Sequence, residues 1–132
     1  MYYLKLYLAT LVAFVIIDGL WLGLVAKNFY QKHLGEMLRD NPNWIAAILF
    51  YLLFIGGLVI FAILPGLQTE SAKKALLLGA LFGLMTYATY DLTNLATLKG
   101  WPLKVTVVDL IWGTVLAGAV SLCGFAAGRW LS

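Results

Sequence analysis

Four long apolar stretches constrain this chain more than any other feature of its sequence. They cover about residues 6–26, 44–64, 75–98 and 105–127. About 20 apolar residues are needed for a helix to cross the roughly 30 Å hydrocarbon core of a bilayer, and each stretch has that length. The links between them are short and contain turn residues. The pattern therefore predicts an all-α membrane protein, with one integral membrane domain over residues 1–132 that forms a four-transmembrane-helix, up-down-up-down bundle.

The composition and charge of the chain narrow the class of protein further. Hydrophobic residues make up 63% of the chain and charged residues 11%, against roughly 45–50% and about 25% in a typical soluble domain. These values exclude a secreted disulfide scaffold, a disordered chain and a cytosolic enzyme. One cysteine and one histidine leave no pattern typical of a metal or cofactor site, so we expect neither. The scattered Lys and Arg residues form no basic stripe, so we expect the lipid bilayer, and no nucleic acid, as a partner.

The first link allows two interpretations. Residues 28–40 have a helical apolar period that charged residues interrupt. The segment is either an amphipathic helix that lies on the membrane surface or a continuation of the first helix into water. Four crossings place both termini on one side of the membrane, called side A here, and place the first and third links on the other, called side B.

Three acidic residues lie inside the predicted helices: Asp18, Asp91 and Asp109. An acid near a helix centre costs roughly 2.5–3.5 kcal/mol on membrane-insertion scales. At about 1.5 Å per residue, all three lie roughly 6–12 Å below the side-B boundary, in one layer. Since no Lys, Arg or His is predicted at that depth, ionised carboxylates would repel one another. We therefore expect the carboxyls to be partly protonated or neutralised by a bound cation.

Each of these aspartates has a polar or aromatic residue three positions further on, which places the two on one helix face. Two tyrosines of the third helix share the face of its aspartate. The candidate ligand-binding or proton-binding residues are Asp18, Trp21, Tyr87, Tyr90, Asp91, Asn94, Asp109 and Trp112. No nucleophile with an adjacent base identifies a catalytic residue. A purely structural interpretation, in which the carboxyls only hydrogen-bond helices together, stays open.

Glycines at GxxxG spacing allow helices to approach closely in a membrane. The candidate helix-packing residues are Gly19, Gly23, Gly79, Gly83, Gly124 and Gly128. The pairs in the third and fourth helices lie in the side-A half. They predict that these two helices converge there and leave a cavity open toward side B. Tight packing alone is the simpler alternative.

Several stretches of the chain resemble a known family. They are IDGLWLG at 17–23, YATYDLTNLAT at 87–97, KGWP at 99–102 and VDLIWG at 108–113. They are similar to the bacterial membrane-protein family catalogued as domain of unknown function 2177, and the resemblance spans essentially the whole chain. It implies a four-helix protein of the bacterial inner membrane and supplies no reaction.

Three functions are compatible with these features. The first is binding or transport of a small molecule or ion, with proton exchange at the aspartates and stacking on the Trp and Tyr rings. The second is a membrane enzyme that acts on a lipid or isoprenoid, with carboxyls as general acid and base. The third is an accessory or assembly subunit with a structural polar layer. Since one protomer of this size has little room for a ligand, the expected partners include a second copy of the chain in a homodimer, besides a small molecule, lipid or cation.

Overall fold

The structure, a computed structural model, describes residues 1–38 and 41–132. Its four long helices are α1 (Tyr2–Met37), α2 (Trp44–Gln68), α3 (Ala72–Thr97) and α4 (Leu103–Leu131). Each is long and apolar enough to cross a membrane. The predicted fold class, an all-α membrane protein with four transmembrane helices and short links, is confirmed.

Helix α1 extends well beyond the first apolar stretch. It is α-helical over Tyr2–Leu20, π-helical over Trp21–Ala26 and α-helical again over Lys27–Leu34. No glycine or proline interrupts residues 24–34, and the α-helix ends where Gly35 adopts a φ of 49°. The described part of segment 28–40 is thus a continuation of α1 rather than a separate helix, and positions 39–40 lie outside the described residues.

Side-chain caps start two of the helices. The Asn43 side chain accepts a hydrogen bond from the Ala46 amide at the start of α2, and the Ser71 side chain accepts one from the Lys74 amide at the start of α3. Such caps satisfy backbone donors that have no partner within the helix. Gly100, at a φ of 77°, lies in the short link between α3 and α4.

Helices α3 and α4 approach each other at glycines. A Cβ atom built on Gly79 would lie 2.6 Å from the Ser121 Cβ, and one on Gly83 would lie 2.5 Å from the Ala117 Cβ. These distances leave no space for a side chain at either glycine. The small residues therefore let the two backbones come close, which is how helices associate where lipid offers no hydrophobic driving force.

The other glycine pairs behave differently. A Cβ on Gly124 would meet Ile63 of α2 and Thr10 of α1, and one on Gly128 would meet Leu67 of α2 and Tyr2 of α1. Both glycines therefore face α1 and α2 rather than α3. Gly19 and Gly23 do not pack against another helix of the described chain, because a Cβ at either would meet nothing within 4 Å. Their spacing matches the motif, but both lie on an exposed face of α1.

The buried core fills the half of the bundle nearer side A. It brings together side chains of α1, α2 and α4, among them Leu6, Phe14, Phe54, Ile55, Leu58, Leu116 and Val120. The aspartates follow this core toward side B, where the helices carry bulky aromatic and polar side chains. The fold thus places a packed half and a polar half at different depths.

Substitutions at two glycines test this packing. Gly83→Ala is expected to lower the free energy of unfolding by about 1–3 kcal/mol, because the added methyl overlaps Ala117. Gly19→Ala is the matched control and is expected to raise it by about 0.5–1 kcal/mol, since alanine is the better helix former and has open space there. Reversible unfolding in detergent micelles measures both values. Equal effects of the two substitutions would contradict the close approach of α3 and α4.

Candidate functional site

A cavity of about 540 Å³ opens in the polar half of the bundle, and we call it the inner cavity. All four helices contribute to its wall. The lining residues are Asp18, Trp21, Leu22, Tyr30, Ala47, Phe50, Tyr51, Thr86, Tyr87, Tyr90, Asp109 and Trp112. A second cavity of about 450 Å³, the outer cavity, includes link residues such as Leu38, Pro42 and Trp101 in its lining.

Two Asp-x-x-Trp sequences, one on α1 and one on α4, contact each other in the wall of the inner cavity. The Trp112 indole N–H donates a hydrogen bond to Asp18 Oδ1 at 3.3 Å, and the Trp21 and Trp112 rings stack with their centroids 4.4 Å apart. The helices run antiparallel, so the aspartate of one lies level with the tryptophan of the other. This crossed arrangement holds the Asp18 carboxyl, 8% exposed, at the cavity wall.

Tyr30 provides the corresponding contact to the second aspartate. Its hydroxyl donates a hydrogen bond to Asp109 Oδ1. Tyr30 and Asp109 both line the inner cavity and the outer cavity. The Tyr30–Asp109 contact therefore lies on the boundary between the two cavities.

Asp91 lies directly behind this wall. It is fully buried, and the Asp109 carboxyl is its neighbouring acidic group. Among the described residues, no donor reaches either carboxyl oxygen of Asp91. Two adjacent ionised carboxylates repel, whereas one shared proton turns the same contact into an O–H···O hydrogen bond. The Asp91–Asp109 pair is therefore chemically suited to hold one proton.

A short chain of hydrogen bonds fixes the backbone at Asp91. The Trp101 indole N–H donates to Thr106 Oγ1 at 3.0 Å, and the Thr106 hydroxyl donates to the Asp91 carbonyl at 3.4 Å. Trp101 is also in edge contact with Tyr90, with centroids 5.8 Å apart. The link between α3 and α4 thus ties the two aspartate-bearing segments together.

The predicted site residues take three kinds of position. On the wall of the inner cavity lie Asp18, Trp21, Tyr87, Tyr90, Asp109 and Trp112. Asp91 lies behind the wall, next to Asp109. Asn94 is half-buried, one helical turn from Tyr90, and belongs to the lining of neither cavity. Asn94 therefore does not line the cavity as expected. At this level of α3, Tyr90 lines it instead.

Six further wall residues are not among the residues predicted from the sequence. They are Leu22, Tyr30, Ala47, Phe50, Tyr51 and Thr86. Tyr51 also packs against Phe14, with centroids 5.2 Å apart, which joins the wall to the core. Phe50 and Tyr51 belong to an apolar helix without any charged residue, and Tyr30 belongs to a segment expected outside the bundle. The sequence around Phe50, Tyr51 and Tyr30 does not distinguish a wall residue from a packing residue.

The charged side chains that line the inner cavity are all acidic among the described residues. Its described lining holds two aspartates and no Lys, Arg or His, while Lys27 lies in the lining of the outer cavity. Most of the remaining wall is aromatic, and the faces of aromatic rings carry negative potential. Among the described residues, no cluster of three or more His, Cys, Asp or Glu residues could hold a metal ion. The inner cavity thus favours positive charge without offering a usual metal-ligand set.

These features define a multi-pass integral membrane protein with a carboxyl-lined cavity inside its helix bundle. A family model described as "Predicted membrane protein (DUF2177)" matches residues 3–126. The chain therefore belongs to this family of membrane proteins, the domain of unknown function 2177. Neither the curated proteins nor the solved structures contain a significant match to the chain.

Proposed function

We propose that this protein binds a small molecule or ion in the inner cavity and couples its binding or transport to proton exchange at the carboxyl groups, in the bacterial inner membrane. The observation that carries the proposal is the cavity itself: about 540 Å³ inside a membrane-spanning bundle, with two carboxyls in its wall. Ligand cavities are typically about 300–1,000 Å³ and mostly apolar, with a few convergent polar groups. A bundle that needed only to pack would have no reason to keep such a space.

Proton exchange follows from the groups that surround each carboxyl. Asp18 accepts a hydrogen bond from Trp112 and shares the cavity wall with Tyr51 and Tyr87. Asp109 accepts a hydrogen bond from Tyr30 and has Asp91 as its acidic neighbour. None of these groups is a base that could neutralise an ionised aspartate. The carboxyls can therefore bind a proton or a ligand charge, and the two compete for the same atoms.

The described residues of one chain line a cavity of about 540 Å³. The proposed binding site is therefore argued from one protomer, and the homodimer stays a prediction.

The Asp91–Asp109 pair also favours a second candidate, a membrane enzyme that uses adjacent carboxyls as acid and base on a lipid or isoprenoid. Asp109 would contact the substrate, and Asp91 would act through Asp109, since Asp91 does not line the cavity. A changed lipid profile after gene deletion, restored by the wild-type chain and not by Asp109→Asn, would support this candidate.

The main proposal is tested by filling the inner cavity with a larger side chain and measuring the binding of three probes of similar shape. The cationic probe is benzyldimethyl(2-hydroxyethyl)ammonium, the neutral probe is 3,3-dimethyl-4-phenylbutan-1-ol, and the anionic probe is 3,3-dimethyl-4-phenylbutanoate. Ala47→Trp is expected to weaken every probe that binds the wild-type protein by about tenfold or more, because the indole occupies the ligand's space. Calorimetry in lipid nanodiscs, with empty nanodiscs as the blank, gives the affinities.

The neighbouring substitution Ala46→Trp is the control, since Ala46 is exposed and lies outside the cavity lining. It is expected to leave the affinities unchanged. The proposal fails if neither a probe nor Mg²⁺ binds the wild-type protein, or if a probe binds and both tryptophan variants bind it equally well.

A further inference from the structure

The charge of the inner cavity limits what it can hold. Asp18 and Asp109 are the charged groups of its described lining, and both are more than nine-tenths buried. A negatively charged ligand would add to the repulsion between the carboxyls, and no Lys, Arg or His side chain of the wall would offset it. Charge complementarity therefore selects a cation, or a neutral molecule that leaves the carboxyls protonated.

The aromatic wall favours a particular kind of cation. Trp21 and Trp112 stack on one side of the cavity, while Phe50, Tyr51 and Tyr87 line other parts of it. A cation over the face of such a ring is attracted by the ring quadrupole, most strongly for Trp. This attraction acts best on a charge that is spread over alkyl groups and only weakly hydrated.

An inorganic cation fits the same wall poorly. Ca²⁺ takes six to eight oxygen ligands, and Mg²⁺ gives up its water reluctantly. The Thr86 hydroxyl is already bonded to the Phe82 carbonyl at 2.9 Å, and the Tyr30 hydroxyl to Asp109. These two hydroxyls are therefore already engaged, and a cavity of about 540 Å³ has the volume of an organic molecule rather than of a single ion.

We infer that the ligand of the inner cavity is an organic cation, a quaternary ammonium or alkylated amine that carries an apolar or aromatic group. This inference rests on the proposed function and names its substrate class. The cationic group lies between Asp18 and Asp109, and the apolar group lies against the Trp and Tyr rings. Binding replaces a proton on the carboxyls with the ligand's positive charge.

The three probes of equal shape test the inference, with the full-length protein in lipid nanodiscs. The cationic probe is expected to bind about tenfold or more tightly than the neutral one, with the anionic probe weakest. Trp112→Leu is expected to weaken the cationic probe more than the neutral one, and circular dichroism checks that this variant folds. Trp112→Phe keeps a ring at the site and is expected to restore part of the preference.

The outcomes separate the inference from the proposed function. If the neutral or anionic probe binds as tightly as the cationic one, the inference is wrong and the binding function stands. If Mg²⁺ alone binds the wild-type protein but not Asp18→Asn, an inorganic cation is the ligand and the inference is wrong. If no probe and no Mg²⁺ binds, both the inference and the proposed function fail.

Discussion

Asp18→Asn is expected to weaken binding of the cationic probe by about tenfold or more and to leave its affinity for the neutral probe unchanged. The substitution keeps the shape of the side chain, and the amide oxygen can still accept the hydrogen bond from the Trp112 indole. What it removes is a negative charge and a proton-binding group. The wild-type protein is expected to release protons when the cationic probe binds, and the variant fewer. Calorimetry in buffers of different ionisation enthalpy measures that proton count.

The control for this experiment is Glu36→Gln, which removes one negative charge from an exposed position away from the inner cavity. It is expected to bind both probes as the wild-type protein does. An equal loss of affinity in the two variants would mean that the net charge of the protein, rather than the carboxyl at the cavity wall, attracts the cation. That result would contradict a specific role for Asp18.

Much of the fold and part of the site follow from the sequence. The helices were predictable because apolar length alone decides whether a segment spans a bilayer. The burial of all three aspartates was predictable because a charged group inside such a segment is costly and must face the interior of the bundle or water. The crossed contact between Asp18 and Trp112 follows from the same Asp-x-x-Trp spacing on two antiparallel helices.

Other features depend on how the helices rotate about their axes, which spacing does not determine. Gly19 and Gly23 match the packing motif as well as Gly79 and Gly83 do, yet only the second pair meets a neighbouring helix. Asn94 lies three residues after Asp91 on the same helix but outside both cavity linings. Tyr30 reaches the site because α1 continues past the expected membrane boundary and brings the tyrosine hydroxyl to Asp109.

Tyr30→Ala is expected to raise the association and dissociation rates of the cationic probe by about tenfold or more, with a much smaller change in the dissociation constant. Tyr30 lines both cavities, and its hydroxyl bonds to Asp109 at their boundary. Removing the ring joins the inner and outer cavities and opens a path toward side B. The variant keeps the carboxyls and the other rings that contact the bound ligand. The rates are therefore expected to change more than the affinity. Stopped-flow measurement of tryptophan fluorescence gives the two rates.

Tyr30→Phe separates the two contributions of this residue. The phenylalanine ring still fills the boundary, so the exchange rates are expected to stay near those of the wild-type protein. The lost hydroxyl leaves the Asp109 oxygen without its phenol donor, so the number of protons released on binding is expected to change instead. If Tyr30→Ala leaves both rates unchanged, the ligand enters the inner cavity by another route, and the outer cavity is not its path. If Tyr30→Phe accelerates exchange as much as Tyr30→Ala, the hydrogen bond to Asp109, rather than the bulk of the ring, keeps the boundary closed.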